Sequence, residues 1–351
     1  MIDIRSDTVT KPSAGMREAM MNAEVGDDVF GEDPSINRLQ EIVAELLGKE
    51  AALYLPSGTM ANQISINVHT QPGNEVICEV GCHLYNYEAG GPALLSGVML
   101  RTLEGHMGSF TADQVKENIR PDNSHFAQSA LIALENTHNR AGGTIFPIEQ
   151  IKEISALARE RDINMHLDGA RLLNAVAATG IAADEWASYF DSASICLSKG
   201  LGAPVGSLIA GTKEFIQKAH RYRKTYGGGM RQAGIIAQAG IYALENNVER
   251  LKDDHKNART LAEGIADLEG ISVDLDWVQS NIVMIDIDPS IGTGAEWAEA
   301  LGKEGVAILA TAPQRLRAVF HLDVNKEGTN RAVEAFNNVH KAEAFHTGSN
   351  Q

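Results

Sequence analysis

Cysteine is scarce in this sequence: Cys78, Cys82 and Cys196 are the only three among 351 residues. So odd and sparse a set excludes a disulfide framework. Cys78 and Cys82 have part of a metal-ligand spacing, but no second pair follows. They read as buried thiols of a reducing compartment, and no metal site is expected. Long apolar runs are missing too. No stretch reaches about 18 apolar residues, which excludes a membrane-spanning helix. The opening "MIDIRSDTVT" carries charges at residues 3, 5 and 7 with no apolar region behind them. No signal peptide is expected, and the expected location is the cytoplasm. Positive charge is in deficit, with a formal net charge of −16. That balance speaks against nucleic acid or an anionic membrane as the main partner. Several catalytic motifs are also absent. There is no G-x-G-x-x-G after an early strand, no G-x-x-x-x-G-K-[ST] loop, no G-x-S-x-G elbow and no H-E-x-x-H.

What is present is an ordinary globular composition, 44% hydrophobic and 22% charged. The length suits about two domains of ~150 residues each. "SINRLQEIVAELLG" (35–48) spaces its apolar residues for one helix face, and "PIEQIKEISALARERD" (147–162) is amphipathic with proline at its start. Strands are expected at 51–58, 74–79, 129–136, 163–169 and 192–198, alternating with helices. That alternation predicts an α/β unit with a mostly parallel sheet. A single helical region is expected over about 231–268. The remainder reads as a smaller α+β unit, with strands near 281–288, 306–311 and 316–322 and helices near 294–304 and 328–345. We assign residues 1–250 to the larger unit and 251–345 to the smaller, with 346–351 as a disordered tail.

Ligands of parallel sheets bind beyond the carboxyl ends of the strands. Ser57, Asp168 and Lys199 all fall at expected strand ends. Lys199 is the one lysine of "SICLSKGLGAP" (194–204), amid small and apolar residues. Burial disfavours an ammonium, and a neutral lysine amine is a nucleophile that forms Schiff bases with carbonyls. Pyridoxal 5′-phosphate needs such a lysine, together with a carboxylate facing its pyridine nitrogen. Asp168 in "HLDGAR" offers that carboxylate. The phosphate needs a helix N-terminus with small residues, and "PSGTMANQ" (56–63) supplies Ser57, Gly58 and Thr59. His83 reads by itself as a hydrogen-bonded loop histidine or as a residue to stack on the ring.

With those residues assembled, the chain resembles the low-specificity L-threonine aldolases. The stretches that carry the resemblance are "DIRSDTVTKPS" (3–13), "VGDDVFGEDP" (25–34), "PSGTMANQ" (56–63), "EAGG" (88–91), "LENTHN" (134–139), "HLDGARLLNA" (166–175), "CLSKGLGAPVGS" (196–207), "RKTYGGGMRQAG" (223–234) and "HLDV" (321–324). They span nearly the whole chain. The resemblance implies the pyridoxal-phosphate transferase fold of type I, with a mostly parallel seven-stranded sheet in a large domain and a smaller α+β C-terminal domain. It implies that Lys199 carries the cofactor, that Asp168 pairs with its ring nitrogen, that His83 stacks on its ring, and that Gly58 and Thr59 bind its phosphate. Ser6, Arg171 and Arg317 are implied as the grip on the substrate carboxylate, a task that suits a planar guanidinium. Arg315 stands two residues from Arg317 and would replace it on an alignment slip. Lys224 and Arg231 are implied to reach a neighbouring subunit's phosphate, within a homotetramer whose sites lie at a dimer interface.

The activity implied is cleavage of L-threonine or L-allo-threonine to glycine and acetaldehyde, extending to other β-hydroxy-α-amino acids. His83 and His125 are the candidate bases, because histidine titrates near neutrality. Another enzyme of the same fold is the alternative: a serine hydroxymethyltransferase, a β-eliminating lyase or an aminotransferase. A cofactor-binding protein without catalysis is disfavoured by the intact Asp168–Lys199 pair. Failure to bind pyridoxal phosphate would revive a nicotinamide dehydrogenase.

Overall fold

The apolar segments pair into a seven-stranded sheet in the computed structural model, which describes residues 1–348. In chain order its strands are β1 (Ala51–Leu55), β2 (Glu75–Glu79), β3 (Met99–Leu103), β4 (Ser129–Glu135), β5 (Asn164–Gly169), β6 (Ser192–Cys196) and β7 (Ser207–Gly211). Side by side they run β3–β2–β4–β5–β6–β7–β1. β7 runs antiparallel to both its neighbours, and the other pairings are parallel. Every residue of β2, β6 and β7 is buried, as expected of strands covered on both faces.

The covering helices include α1 (Pro34–Leu46), α2 (Gly58–His69), α3 (Ile148–Glu160), α4 (Leu172–Thr179), α5 (Lys213–Thr225) and α6 (Gly234–Asn246). α1 shows why such segments form helices. Asp33 accepts a hydrogen bond from Ile36 N–H, Pro34 occupies the first turn, and Ile36, Leu39 and Val43 turn inward. A cap of this kind contributes about 1 kcal/mol. The buried face then packs against the sheet in the main hydrophobic core.

A second core surrounds a four-stranded antiparallel sheet of Ile271–Ser272, Ile282–Ile287, Leu309–Ala312 and Arg315–Val319. Helices α7 (Leu251–Ile265) and α8 (Lys326–Gly348) pack against each other here, burying Leu261, Ile265 and Phe336. Ile2 and Ile4 join this second core, and Ile2–Asp3 pairs with Val306–Ala307. The first residues therefore pack with the unit that the sequence reading begins at residue 251. The chain then crosses back, so that residues 6–10 pass beside the large sheet's carboxyl edge.

Two strands of the large sheet escaped the sequence reading, as did the two-residue strands Ile2–Asp3 and Ile271–Ser272. β3 lies at the sheet edge and exposes Met99, so it lacks an apolar run. β7 is five residues closed in by Gly206 and Gly211, too short for its period to show. The helical region expected over 231–268 is two helices, α6 and α7, broken at 247–250. The break has a use: Asn247 Nδ2 and Arg250 NH1 reach back to the carbonyls of Leu201 and Gly200. The segment expected as one strand over 306–311 is divided between Val306–Ala307 and Leu309–Ala312, which pair with different partners. α8 continues through Gly348, into the segment 346–351 expected as a disordered tail, and 349–351 lie outside the described residues. Good helix formers such as Lys341, Ala342 and Glu343 carry the pattern onward. No helix among the described residues is long and apolar enough to cross a membrane.

Candidate active site

The carboxyl ends of β1, β4, β5 and β6 open onto one cavity of about 260 Å³. Ser6, Ser57, Gly58, Thr59, His83, Asp168, Arg171, Lys199 and Arg317 all line it. Residues far apart in sequence thus meet because parallel strands deliver their ends to one edge.

The N-terminus of α2 forms one wall. Ser57 Oγ accepts from Met60 N–H at 3.2 Å and caps the helix. Gly58 has a packing reason as well, since a Cβ there would sit 2.7 Å from Cys196 Sγ on β6. Unpaired backbone N–H groups at such an end favour an anion. One helical turn on, Asn62 Nδ2 donates to Asp168 Oδ2 and to Glu88 Oε1, both at 2.7 Å. Asp168 Oδ1 accepts from Ala170 N–H at 3.0 Å.

Those two bonds fix the polarity of a buried chain. Because the Asn62 amide group faces two carboxylates, its Oδ1 faces His166 Nε2, at 3.2 Å, as an acceptor. His166 Nε2 therefore carries the proton, and Nδ1 accepts from Ser192 Oγ at 2.9 Å. Ser192 Oγ in turn lies 2.8 Å from His69 Nε2. Burial pushes His69 down to about 3 and His166 to about 4, so both rings are neutral at pH 7. The carboxylate of Asp168 is thereby held by neutral donors and left open toward the cavity.

His83 begins a short helix, and its N–H donates to Glu135 Oε2 at 2.6 Å. Its Nδ1 lies 2.9 Å from Glu88 Oε1. That hydrogen bond, against the opposing effect of burial, raises the pKa of the imidazole from its ordinary value. His83, Glu88 and Asp168 place one ligand atom each within 4.8 Å of one another, but Asn62 and Gln63 already hydrogen-bond to the carboxylates. All three cysteines are free and buried.

β6 ends at Cys196, so Lys199 stands three residues beyond the strand, on a turn. Three consecutive carbonyls of that turn are pinned by side chains. Thr10 Oγ1 donates to the Lys199 carbonyl at 3.1 Å, Arg250 NH1 to that of Gly200 at 3.2 Å, and Asn247 Nδ2 to that of Leu201 at 2.7 Å.

The expected carboxylate grip is only partly open. Arg171 has spent its fork: Nε and NH2 donate to the two oxygens of Asp7 at 2.6 and 2.7 Å, with both residues buried. Only NH1 remains, 3.4 Å from Asn139 Oδ1. Arg317 is freer, because its buried Nε has no partner. Arg315 is instead paired with Asp286 at 2.6 and 2.8 Å and lines no part of this cavity. Three other expected residues are elsewhere. His125 is exposed on the loop before β4, Lys224 is exposed near the end of α5, and Arg231 pairs with Asp27. None of them lines the cavity of this chain.

Asp7, Asn62, Glu88, Glu135 and Asn139 shape the site, and the sequence reading gave none of them a role. Asn62 left a signal, since it lies four residues after Gly58 on the same helix face. Asp7 left none, because a carboxylate in an irregular N-terminal segment reads as solvated.

The profile of the β-eliminating lyase family matches residues 3–288. The low-specificity L-threonine aldolase of Escherichia coli K12 is 47% identical over 330 residues, 93% of this chain and 96% of that protein. Low-specificity L-threonine aldolase 1 of Arabidopsis thaliana is 42% identical over 95% of each chain. Among solved structures, the threonine aldolase of Leishmania major superposes with a TM-score of 0.83 at 19% identity, over 97% of this chain and 100% of that one. An aspartate aminotransferase from Thermus thermophilus, a double mutant, superposes at 0.71 and 16% identity, over 97% and 91% of the two chains. The last two likenesses establish the fold.

Proposed function

The chain belongs to the low-specificity L-threonine aldolases within the β-eliminating lyase family, and from that premise we propose that it binds pyridoxal 5′-phosphate and cleaves L-threonine and L-allo-threonine to glycine and acetaldehyde. One observation carries this reading: Lys199, Asp168 and the N-terminus of α2 face a single cavity. The donor set fits the cofactor part by part. An amine meets its aldehyde, a buried carboxylate its ring nitrogen, and a helix N-terminus with two hydroxyls its phosphate. When bound, the cofactor supplies an electron sink for the pair left on Cα as the Cα–Cβ bond breaks.

The chain's own residues orient and move protons. With pyridoxal phosphate bound, Asp168 would hold a proton on its pyridine nitrogen and His83 would lie against its ring. Arg317 and NH1 of Arg171, the nitrogen that Asp7 leaves unclaimed, would take the α-carboxylate, with Ser6 beside them. This grip would fix the orientation of the substrate's Cα bonds in the cavity, and orientation of that kind supplies much of a catalyst's effect. Glu88 holds His83 Nδ1–H as a donor, which leaves Nε2 free to take the β-hydroxyl proton. Reprotonation of Cα then gives glycine.

His125, Lys224 and Arg231 act on this reading from a neighbouring subunit, in a homotetramer located in the cytoplasm. None of the three lines this chain's own cavity. His125 contacts the substrate hydroxyl in the neighbour's cavity, so His125→Ala should change the ratio of L-threonine to L-allo-threonine rates. An unchanged ratio removes it from that role.

Product analysis separates the proposal from the other reactions of this fold. Retro-aldol cleavage of L-threonine yields glycine and acetaldehyde in equal amounts. β-Elimination yields ammonia and a 2-oxo acid, and transamination leaves the amine on the cofactor. Ammonia without aldehyde would replace the aldolase reading with the lyase.

A further inference from the structure

Two guanidiniums converge on one neutral oxygen inside the cavity. Arg317 NH1 donates to Asn139 Oδ1 at 3.0 Å, and Arg171 NH1 approaches the same atom at 3.4 Å. Two cationic donors fix the amide, because its NH2 group has no acceptor there while its oxygen has two donors. The backbone of Asn139 is also fixed. Its N–H donates to Glu135 Oε1 at 2.8 Å, and the other oxygen of Glu135 accepts from His83 N–H at 2.6 Å. Glu135 is itself buried, so one carboxylate ties the turn carrying Asn139 to the turn carrying His83.

The charges around this oxygen are unequal. Arg171 is neutralised by Asp7, whose two oxygens it holds. Arg317 makes no salt bridge with a carboxylate among the described residues, and its NH2 reaches only the Arg5 carbonyl at 3.4 Å. Beside Lys199, which the proposed cofactor would engage, the guanidinium of Arg317 therefore faces the cavity without a counter-charge. It is the complement of a single carboxylate.

We propose that Asn139 is a positioning residue that makes the cavity selective for a monoanionic α-carboxylate, its neutral oxygen holding Arg171 and Arg317 to one anion-binding point without cancelling the charge of Arg317. An aspartate here would pair with Arg317 and occupy the point itself. An alanine would leave two like charges side by side with nothing between them. The inference rests on the aldolase reading for the identity of the substrate and for the cofactor used as the reporter.

The test uses the holoenzyme and two small amines. Glycine and ethanolamine are titrated in, and binding is followed by the change in the cofactor's visible absorption. Ethanolamine has the amine but no carboxylate. Asn139→Asp should weaken glycine binding by about tenfold or more and leave ethanolamine binding as in the wild type. The KM for L-threonine should rise by a similar factor, with kcat nearly unchanged. Asn139→Ala brings no new charge and should weaken glycine alone, by about threefold, and it carries the comparison if the aspartate variant does not fold. Glycine binding at wild-type strength in the variants overturns the proposal. So does a parallel loss for glycine and ethanolamine, which would mark general distortion of the site. A wild-type protein that cleaves no threonine would instead defeat the aldolase reading, and the glycine–ethanolamine comparison would still judge Asn139.

Discussion

Lys199→Ala is expected to remain folded and to lose threonine cleavage by more than about three orders of magnitude. Among the described residues Lys199 is the one lysine that lines this chain's cavity, and Lys224, proposed to reach in from a neighbouring subunit, would meet the phosphate and not the aldehyde. The turn should survive the substitution. Thr10, Arg250 and Asn247 grip backbone carbonyls, which alanine retains. Lys199→Arg should fail as completely, because a guanidinium stays protonated and forms no imine. Folding is checked by thermal melting and cleavage by aldehyde release. Turnover near the wild-type rate in either variant would remove Lys199 from the reaction.

Asp7→Asn should be among the most destabilising single changes in the protein. It leaves the Arg171 guanidinium buried without its counter-charge, a loss of about 3–5 kcal/mol. The acid behaviour should change with it. Burial by itself raises the Asp7 carboxyl, but Arg171, with Lys199 and Asn281, outweighs burial and holds it at about 2, below its ordinary 3.8. A folded-state value below the unfolded one contributes stability that is fully present above the unfolded value. That stability is lost as pH falls through the folded value. The window is thus from about pH 4 down to about pH 2, and the difference in pKa corresponds to about 2 kcal/mol. Urea denaturation of both proteins at pH 7 and across this window reads it. The gap between wild type and Asp7→Asn should be wide at pH 7 and narrow toward pH 2. A constant gap would show that the Asp7 carboxylate is not what Arg171 relies on. The substrate grip should suffer as well, since Asp7 aims the remaining NH1 of Arg171.

The sequence made the sheet and the rim that borders the cavity legible for a physical reason. Strands buried on both faces leave apolar runs, and a lysine or aspartate that ends such a run stands out. Lys199, Asp168 and the Ser57–Thr59 turn were found this way, and all line the cavity. What stayed hidden depends on contacts between distant segments. Arg171 reads as a free guanidinium, but its fork is closed by a residue 164 positions away. Asn139 looks like any loop asparagine until Arg317 arrives from the second sheet. The edge strand β3 was missed because half-exposed strands lose their apolar signature. His125, Lys224 and Arg231 show a further limit, since a single chain gives them no place in the cavity.

The most direct measurement is acetaldehyde release from L-threonine and L-allo-threonine by protein stripped of cofactor, before and after pyridoxal 5′-phosphate is returned. The stripped protein should release no aldehyde. The restored one should release glycine and acetaldehyde in equal amounts, and restored Lys199→Ala none. Aldehyde release that ignores the cofactor, or its absence from a restored protein showing the bound-cofactor absorption band, would contradict the aldolase reading.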